Sequence, residues 1–264
     1  MRPLLPEPHL TPNFAVTEPG GDLWTRLRSL TAARIGLARS GASLATSPML
    51  DLRRAHARAR DAVYNSLDAE ALAVGLQAIL PDASIVDSAA GDRRTYLMRP
   101  DLGRQLARSG WAELTRHAGQ WDLAVVLVDG LSARAVAEHA VPTLAAALPS
   151  LRAEGWQIAP AAIVRQGRVA IGDAVTSALT AEAVVVLIGE RPGLSTQDSL
   201  SAYLTWRPHQ ATTDADRNCI SNIHPAGTSY TEAAGTLVRL LGAMRSRGLS
   251  GVALKDNEAL QLAP

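Results

Sequence analysis

Apolar positions along the chain follow two regimes. Up to about residue 80 they recur at helical spacing among arginines. Leu23, Leu27, Leu30, Ile35 and Leu37 predict a first helix from Asp22. Residues 49–67 predict a second, with Met49, Leu52, Ala55, Ala59, Ala62 and Val63 on one side, and residues 68–80 a third. Beyond that point short, near-continuous apolar blocks take over: strands are expected at 84–89, 123–128, 157–171 and 183–189, and an antiparallel edge strand at 201–206. Amphipathic stretches separate them. Pro100 and Asp101 are start signals for a helix over 101–119, and Ser132 can cap one over 133–155, which Pro142 should kink or split. A short helix at 173–181, a polar loop at 217–229 and a last helix at 231–247 complete the pattern. Alternation of this kind predicts an α/β protein with a mostly parallel sheet covered by helices. Three segments are expected: a flexible arm over 1–21, a helical N-terminal region over 22–80 serving as subdomain or docking arm, and an α/β domain over 81–264.

Three of the strands end on polar, turn-forming residues, in VDGLS, VRQGRV and IGERPG. The carboxyl ends of parallel strands share one rim, where open α/β folds keep their ligands. Asp129, residues 165–169 and Glu190 are therefore expected to meet at one crevice. A carboxylate at the mouth of a buried strand needs a reason. An ion pair between Glu190 and Arg191, or capping of the following turn, is the local alternative to a ligand-facing role.

Composition removes several classes. At 264 residues the chain can bury a sizeable core, and no apolar run approaches the roughly 20 residues of a membrane span. Prolines interrupt the first 21 residues where a secretion signal needs a continuous apolar stretch, so a cytoplasmic location is expected. The single cysteine, Cys219, excludes an internal disulfide framework. A formal net charge of +1 makes no demand for nucleic acid, and the many arginines between Arg26 and Arg60 read as a solvated or partner-facing surface. Lys255 is the only lysine and sits in a tail, which disfavours Schiff-base chemistry.

Several motifs come close and fail. GLARSGAS, residues 36–43, has the glycine spacing of a phosphate loop, but Ala42 stands where the lysine belongs and a helical pattern precedes it. No G-x-G-x-x-G follows a strand. Cys219 and His224, with Asp216 nearby, invite a thiol-nucleophile reading, although a lone cysteine is commonly a small buried apolar group. The six histidines are scattered without zinc-ligand spacing. The residues thus describe a cofactor-binding or partner subunit without a self-sufficient catalytic constellation. An arginine-rich nucleic-acid-binding module and a Cys219-dependent hydrolase stay open beside it.

RPDLGRQL (99–106), VDGLS (128–132), GRVAIGD (167–173), IGERPGL (188–194) and ADRNCISNIHPAGT (215–228), with TAARIGLARSGASLAT and HARARDAV nearer the N-terminus, closely resemble the small subunit of ethanolamine ammonia-lyase. The likeness runs in order from about Leu23 to the C-terminus. It implies a Rossmann-like cobalamin-binding domain over 81–264. The family's complex converts ethanolamine to acetaldehyde and ammonia by adenosylcobalamin radical chemistry in ethanolamine catabolism. Its large subunit holds the substrate, so the resemblance implies no catalytic residue in this chain, a hetero-oligomer with that subunit, and a cofactor closed over at the interface. The family's cobalamin contacts fall on Val169, Glu190 and Cys219. No histidine lies in a D-x-H-x-x-G pattern, so the cofactor is expected base-on, with cobalt held by the corrinoid and no metal ligand from the protein. Neither nucleic acid nor membrane is implied as a partner, and residence in a bacterial microcompartment is left open. Gln166 and Ala170 depart from the family's commoner aromatic and basic residues.

Overall fold

The computed structural model describes residues 21–254; Lys255 and all but the last residue of the arm expected over 1–21 lie outside the described residues. Contacts divide the chain into two units, residues 1–57 and 58–264. In the first unit, α1 (Gly21–Ser29) leads to a minimal antiparallel hairpin of β1 (Arg39–Ser40) and β2 (Ser43–Leu44), then to α2 (Thr46–Tyr64), which crosses the boundary. The first helix ends at Ser29 rather than continuing to Leu37. Gly36 takes φ +57° against the Trp24 ring, where a Cβ would lie 2.4 Å from Cε3. Arg28 donates to the carbonyls of Ile35, at 3.1 Å, and of Gly36. The segment resembling a phosphate loop overlaps this hairpin up to Ser43, with Gly41 at φ +58° in its turn.

The second unit runs α3 (Ala69–Leu76), β3 (Ser84–Asp87), α4 (Arg93–Met98), α5 (Arg108–Thr115), β4 (Trp121–Val128), α6 (Ala133–Ala153), β5 (Ala162–Arg165), α7 (Ile171–Leu179), β6 (Ala181–Gly189), β7 (Leu200–Trp206), β8 (Asn218–Ile223) and α8 (Tyr230–Arg247). The six strands β3 to β8 form one sheet in the order β3-β5-β4-β6-β7-β8; the first four are mutually parallel and β7 is antiparallel to both neighbours. Residues of opposite parity on the strands face opposite sides. Leu123, Val125, Leu127, Val185 and Leu187 pack under α3, α6 and α8. Ala124, Val126, Val128, Val184 and Val186 pack under α5 and α7. The chain is therefore an α/β protein whose mostly parallel sheet is flanked by helices on both faces.

Beyond α1, three elements differ from the pattern-based expectation. Residues 101–119 are not one helix: a 3-10 turn at Leu102–Arg104 is followed by extended chain, and α5 begins only at Arg108. The reason is tertiary, because Ala89 N–H donates to the Gln105 carbonyl at 2.8 Å and Ala107 N–H to that of Asp87 at 3.0 Å. The strand expected over 157–171 is confined to β5, since Gln166 turns to φ +58°. Of the kink or split expected at Pro142, the split does not occur: α6 runs on through Pro142 and Pro149. Finally β7 is an interior strand, and the expected polar loop supplies the edge strand β8. Only Ile220 and Ile223 of β8 are buried, so Asn218, Cys219, Ser221 and Asn222 leave a polar record that resembles a loop.

Candidate functional site

The chain leaves β4 for α6 on one face of the sheet, and leaves the adjacent β5 for α7 on the other. Loops that part in this way open a crevice at the carboxyl ends of the strands. Here it continues along the end of β6 to β7 and β8, as a cleft of about 290 Å³ whose walls include Leu131, Arg168, Val169, Glu190, Tyr203 and Ser221.

The sequence-predicted rim residues divide into three fates. Val169 and Glu190 line the cleft together. Asp129 does not reach it; 1% exposed, it lies beneath, where its two carboxylate oxygens accept from the backbone N–H of Gln166 at 3.0 Å and Gly167 at 3.2 Å. Burial pushes its carboxyl up to about 6, against the backbone hydrogen bonds and the nearby Arg93 guanidinium, which lower it. Asp129 therefore holds the loop that presents Arg168 and Val169. Arg165 turns aside to Asp87, at 2.8 Å, and Glu70, at 3.6 Å. Gly130 fits the crossing at φ +55°, where a Cβ would meet the Gly189 carbonyl at 2.4 Å.

Glu190 is fixed on one side only. Its Oε1 accepts from the Ser201 hydroxyl at 2.5 Å and from the Asn222 backbone N–H at 3.0 Å. Its Oε2 has no hydrogen bond among the described residues, and no ion pair with Arg191 forms. Asn222 can aim its N–H this way because it takes φ +61°, a left-handed conformation that asparagine tolerates, while its side chain bonds His224 at 2.8 Å. The SNIH stretch is thus a bracket for Glu190. Its composition signalled a polar loop; its target could not be read.

Cys219 pairs with Tyr203 across β7 and β8, and its thiol sits beside the Tyr203 and Ser201 hydroxyls, one residue removed from the cleft walls. The residue has an open outer edge, yet the crowding around its sulfur pushes the thiol above its ordinary value. His224 is engaged with Asn222, and Asp216 with the Thr213 cap, so neither activates it. Cys219 thus lies beside the cleft walls rather than in them, and its raised thiol has no activating histidine.

Two features escaped sequence reasoning. Arg93 and Arg168 stack on the fully buried Tyr96 ring, 4.7 and 4.0 Å from its centroid. Arg217 forms a bidentate pair with Asp173, both contacts 2.7 Å, tying the start of α7 to β8 with its side chain 2% exposed. Arg217 and Asp173 lie inside two of the resemblance motifs, so part of that signal is architectural.

Ethanolamine ammonia-lyase light chain (EutC) is the family that matches this chain, over residues 21–255. The chain belongs to this family. Among its relatives, the ethanolamine ammonia-lyase small subunit of Pseudomonas aeruginosa (strain LESB58) is 49% identical over 242 residues, covering 90% of this chain and 89% of its own. That of Azotobacter vinelandii is 51% identical over 237 residues, covering 88% of each chain. That of Xanthomonas campestris pv. campestris (strain B100) is 51% identical over 244 residues, covering 91% of this chain and 90% of its own.

Proposed function

We propose that this light chain is the small subunit of an adenosylcobalamin-dependent ethanolamine ammonia-lyase, a carbon–nitrogen lyase that forms acetaldehyde and ammonia in ethanolamine catabolism, and that it completes the cobalamin site at the interface with the large subunit. The observation that carries this reading is the free Oε2 of Glu190 in a cleft that also presents Val169. A corrinoid is rich in neutral amide donors. A carboxylate oxygen without a partner suits them, because the resulting bond is charge-assisted. Size supports a shared site: about 290 Å³ is at or below the roughly 300–1,000 Å³ of a small-molecule pocket, enough for side arms of a corrinoid but not for all of it. The large subunit is the partner that would cover the remainder and hold ethanolamine.

Adenosylcobalamin supplies the radical that starts the reaction. The residues of this chain bind and orient: Glu190 accepts an amide hydrogen bond, Val169 gives apolar contact, and Cys219 lines the edge as a soft, protonated thiol. The cofactor is taken base-on in this reading, and the exposed arginines of α1 and α2, with Leu23, Leu30 just after α1, and Leu50, form a docking surface for the large subunit. The complex works in the cytoplasm or in a microcompartment there.

The test is cobalamin retention by the complex reconstituted from both subunits. Glu190→Ala is expected to weaken it at least tenfold and Val169→Ala by a smaller factor; unchanged affinity in both removes the assignment. Alkylation of Cys219 against pH should give a thiol that reacts only at alkaline pH. A reactive thiolate at neutral pH would favour the hydrolase reading instead.

A further inference from the structure

One charged group in the cleft has no role in the reading above. Arg168 is locked from behind: its backbone N–H donates to the Gly103 carbonyl at 2.7 Å, its Nη2 to the Tyr96 carbonyl at 3.1 Å, and its guanidinium covers the Tyr96 ring at 4.0 Å from the centroid. Arg93 stacks on the same ring at 4.7 Å, with Asp129 as its acidic neighbour at 3.7 Å. Among the described residues no carboxylate pairs with Arg168, and its Nη1 makes no hydrogen bond. Arg93 Nη2, Tyr96 Oη and Arg168 Nε are buried without partners. Unmet donors of this kind are rare in folded proteins and need an explanation.

Glu190, which lines the same cleft, carries the opposite chemistry. Ser201 and Asn222 both donate to Oε1 of Glu190, which fixes the carboxylate's orientation and leaves Oε2 as a free acceptor. An immobilised cation and an immobilised anion facing one cleft discriminate by charge: a carboxylate would be repelled by Glu190, and an ammonium by Arg168. A neutral group that accepts on one side and donates on the other satisfies both. We propose that Arg168 and Glu190 form a two-point clamp for a primary carboxamide, whose carbonyl oxygen accepts from Arg168 Nη1 while its NH₂ donates to Glu190 Oε2. Resting on the corrinoid reading, this assigns the clamp to one peripheral carboxamide of the cofactor and makes Arg168 a further binding residue.

The experiment uses the reconstituted two-subunit complex, with equilibrium dialysis against cobalamin and against the set of cobalamins in which one peripheral carboxamide is hydrolysed to a carboxylate. Arg168→Met should weaken cobalamin binding about 10- to 100-fold, and Arg168→Lys less. One monocarboxylate isomer should bind the wild-type complex at least tenfold more weakly than cobalamin does. Glu190→Gln should reverse that order: Ser201 and Asn222 hold its oxygen, so its NH₂ takes the place of Oε2 and donates to the carboxylate. Arg168→Met should not rescue that isomer. Full cobalamin affinity in an Arg168→Met complex that still assembles overturns the clamp, as does a panel with no isomer rescued by Glu190→Gln. Where Arg168→Met fails to assemble, Arg168→Lys and the panel on wild type and Glu190→Gln decide. A wild-type complex that retains no corrinoid overturns the cofactor reading itself, a result distinct from loss of the clamp.

Discussion

Buried charge in this molecule is spent on holding a loop. Asp129, 1% exposed, keeps both oxygens on the backbone of Gln166 and Gly167, and burial raises its carboxyl to about 6 from the ordinary 3.8. A carboxyl whose folded value is raised binds more protons folded than unfolded between those two values, so its contribution to stability falls as pH rises from about 4 to about 6. The span corresponds to at most on the order of 3 kcal/mol. Urea denaturation of the wild type should show this slope and Asp129→Asn should lack it; parallel curves for the two would contradict the assignment. Asparagine is also a poor geometric substitute, because its NH₂ would face one of the two backbone donors. Asp129→Asn should therefore weaken cobalamin retention even where it stabilises the fold. The sequence marked Asp129 and Glu190 equally, since each follows a strand. Which one faces the cleft depends on the path of the following loop, which no local pattern encodes.

At the scale of elements, caps and cross-ties carry the argument. Ser229 and Glu232 form a reciprocal capping box on α8, so Ser229→Ala should cost about 1 kcal/mol. Ser132 caps α6 through the Ala135 N–H and also donates to the Gln197 carbonyl at 2.8 Å from a fully buried position. Ser132→Ala should be the more damaging of the two, and chemical denaturation of the pair checks the order. The buried Arg217–Asp173 pair joins α7 to β8. Arg217→Ala leaves Asp173 without its partner and should cost about 3–5 kcal/mol; a loss below 1 kcal/mol would mean that solvent replaces the guanidinium freely. Helix starts such as Ser132 were legible because capping is local. The break at residues 101–107 was not, because the hydrogen bonds that extend it come from β3 and the loop after it.

For the whole molecule, the decisive feature is the parting of chain paths after β4 and β5. It places loops from three parallel strands around one cleft, while β7 and β8 add Ser201, Tyr203 and Asn222 from the antiparallel edge. A cleft of about 290 Å³ has room for only part of a corrinoid. The isolated chain should consequently retain cobalamin far more weakly than the two-subunit complex, by at least 100-fold in equilibrium dialysis. Tight binding by the isolated chain would show that the partner is dispensable for the cofactor.

By itself the sequence determined what short-range periodicity and chemistry can dictate: parallel strands from continuous apolar blocks, covering helices from amphipathic stretches, turns at Asp129 and Glu190, and family membership through ordered motifs. Tertiary structure decided the rest. It turned a polar stretch into the edge strand β8, stopped a periodic helix at Ser29, sent Arg165 away from the rim, buried Asp129 under it, and tied Arg168 to Tyr96. Each of these outcomes is a hydrogen bond or an ion pair between residues far apart in the chain, or a steric contact that forces a turn. Periodicity records which way a side chain faces along its own element, not which element it will meet.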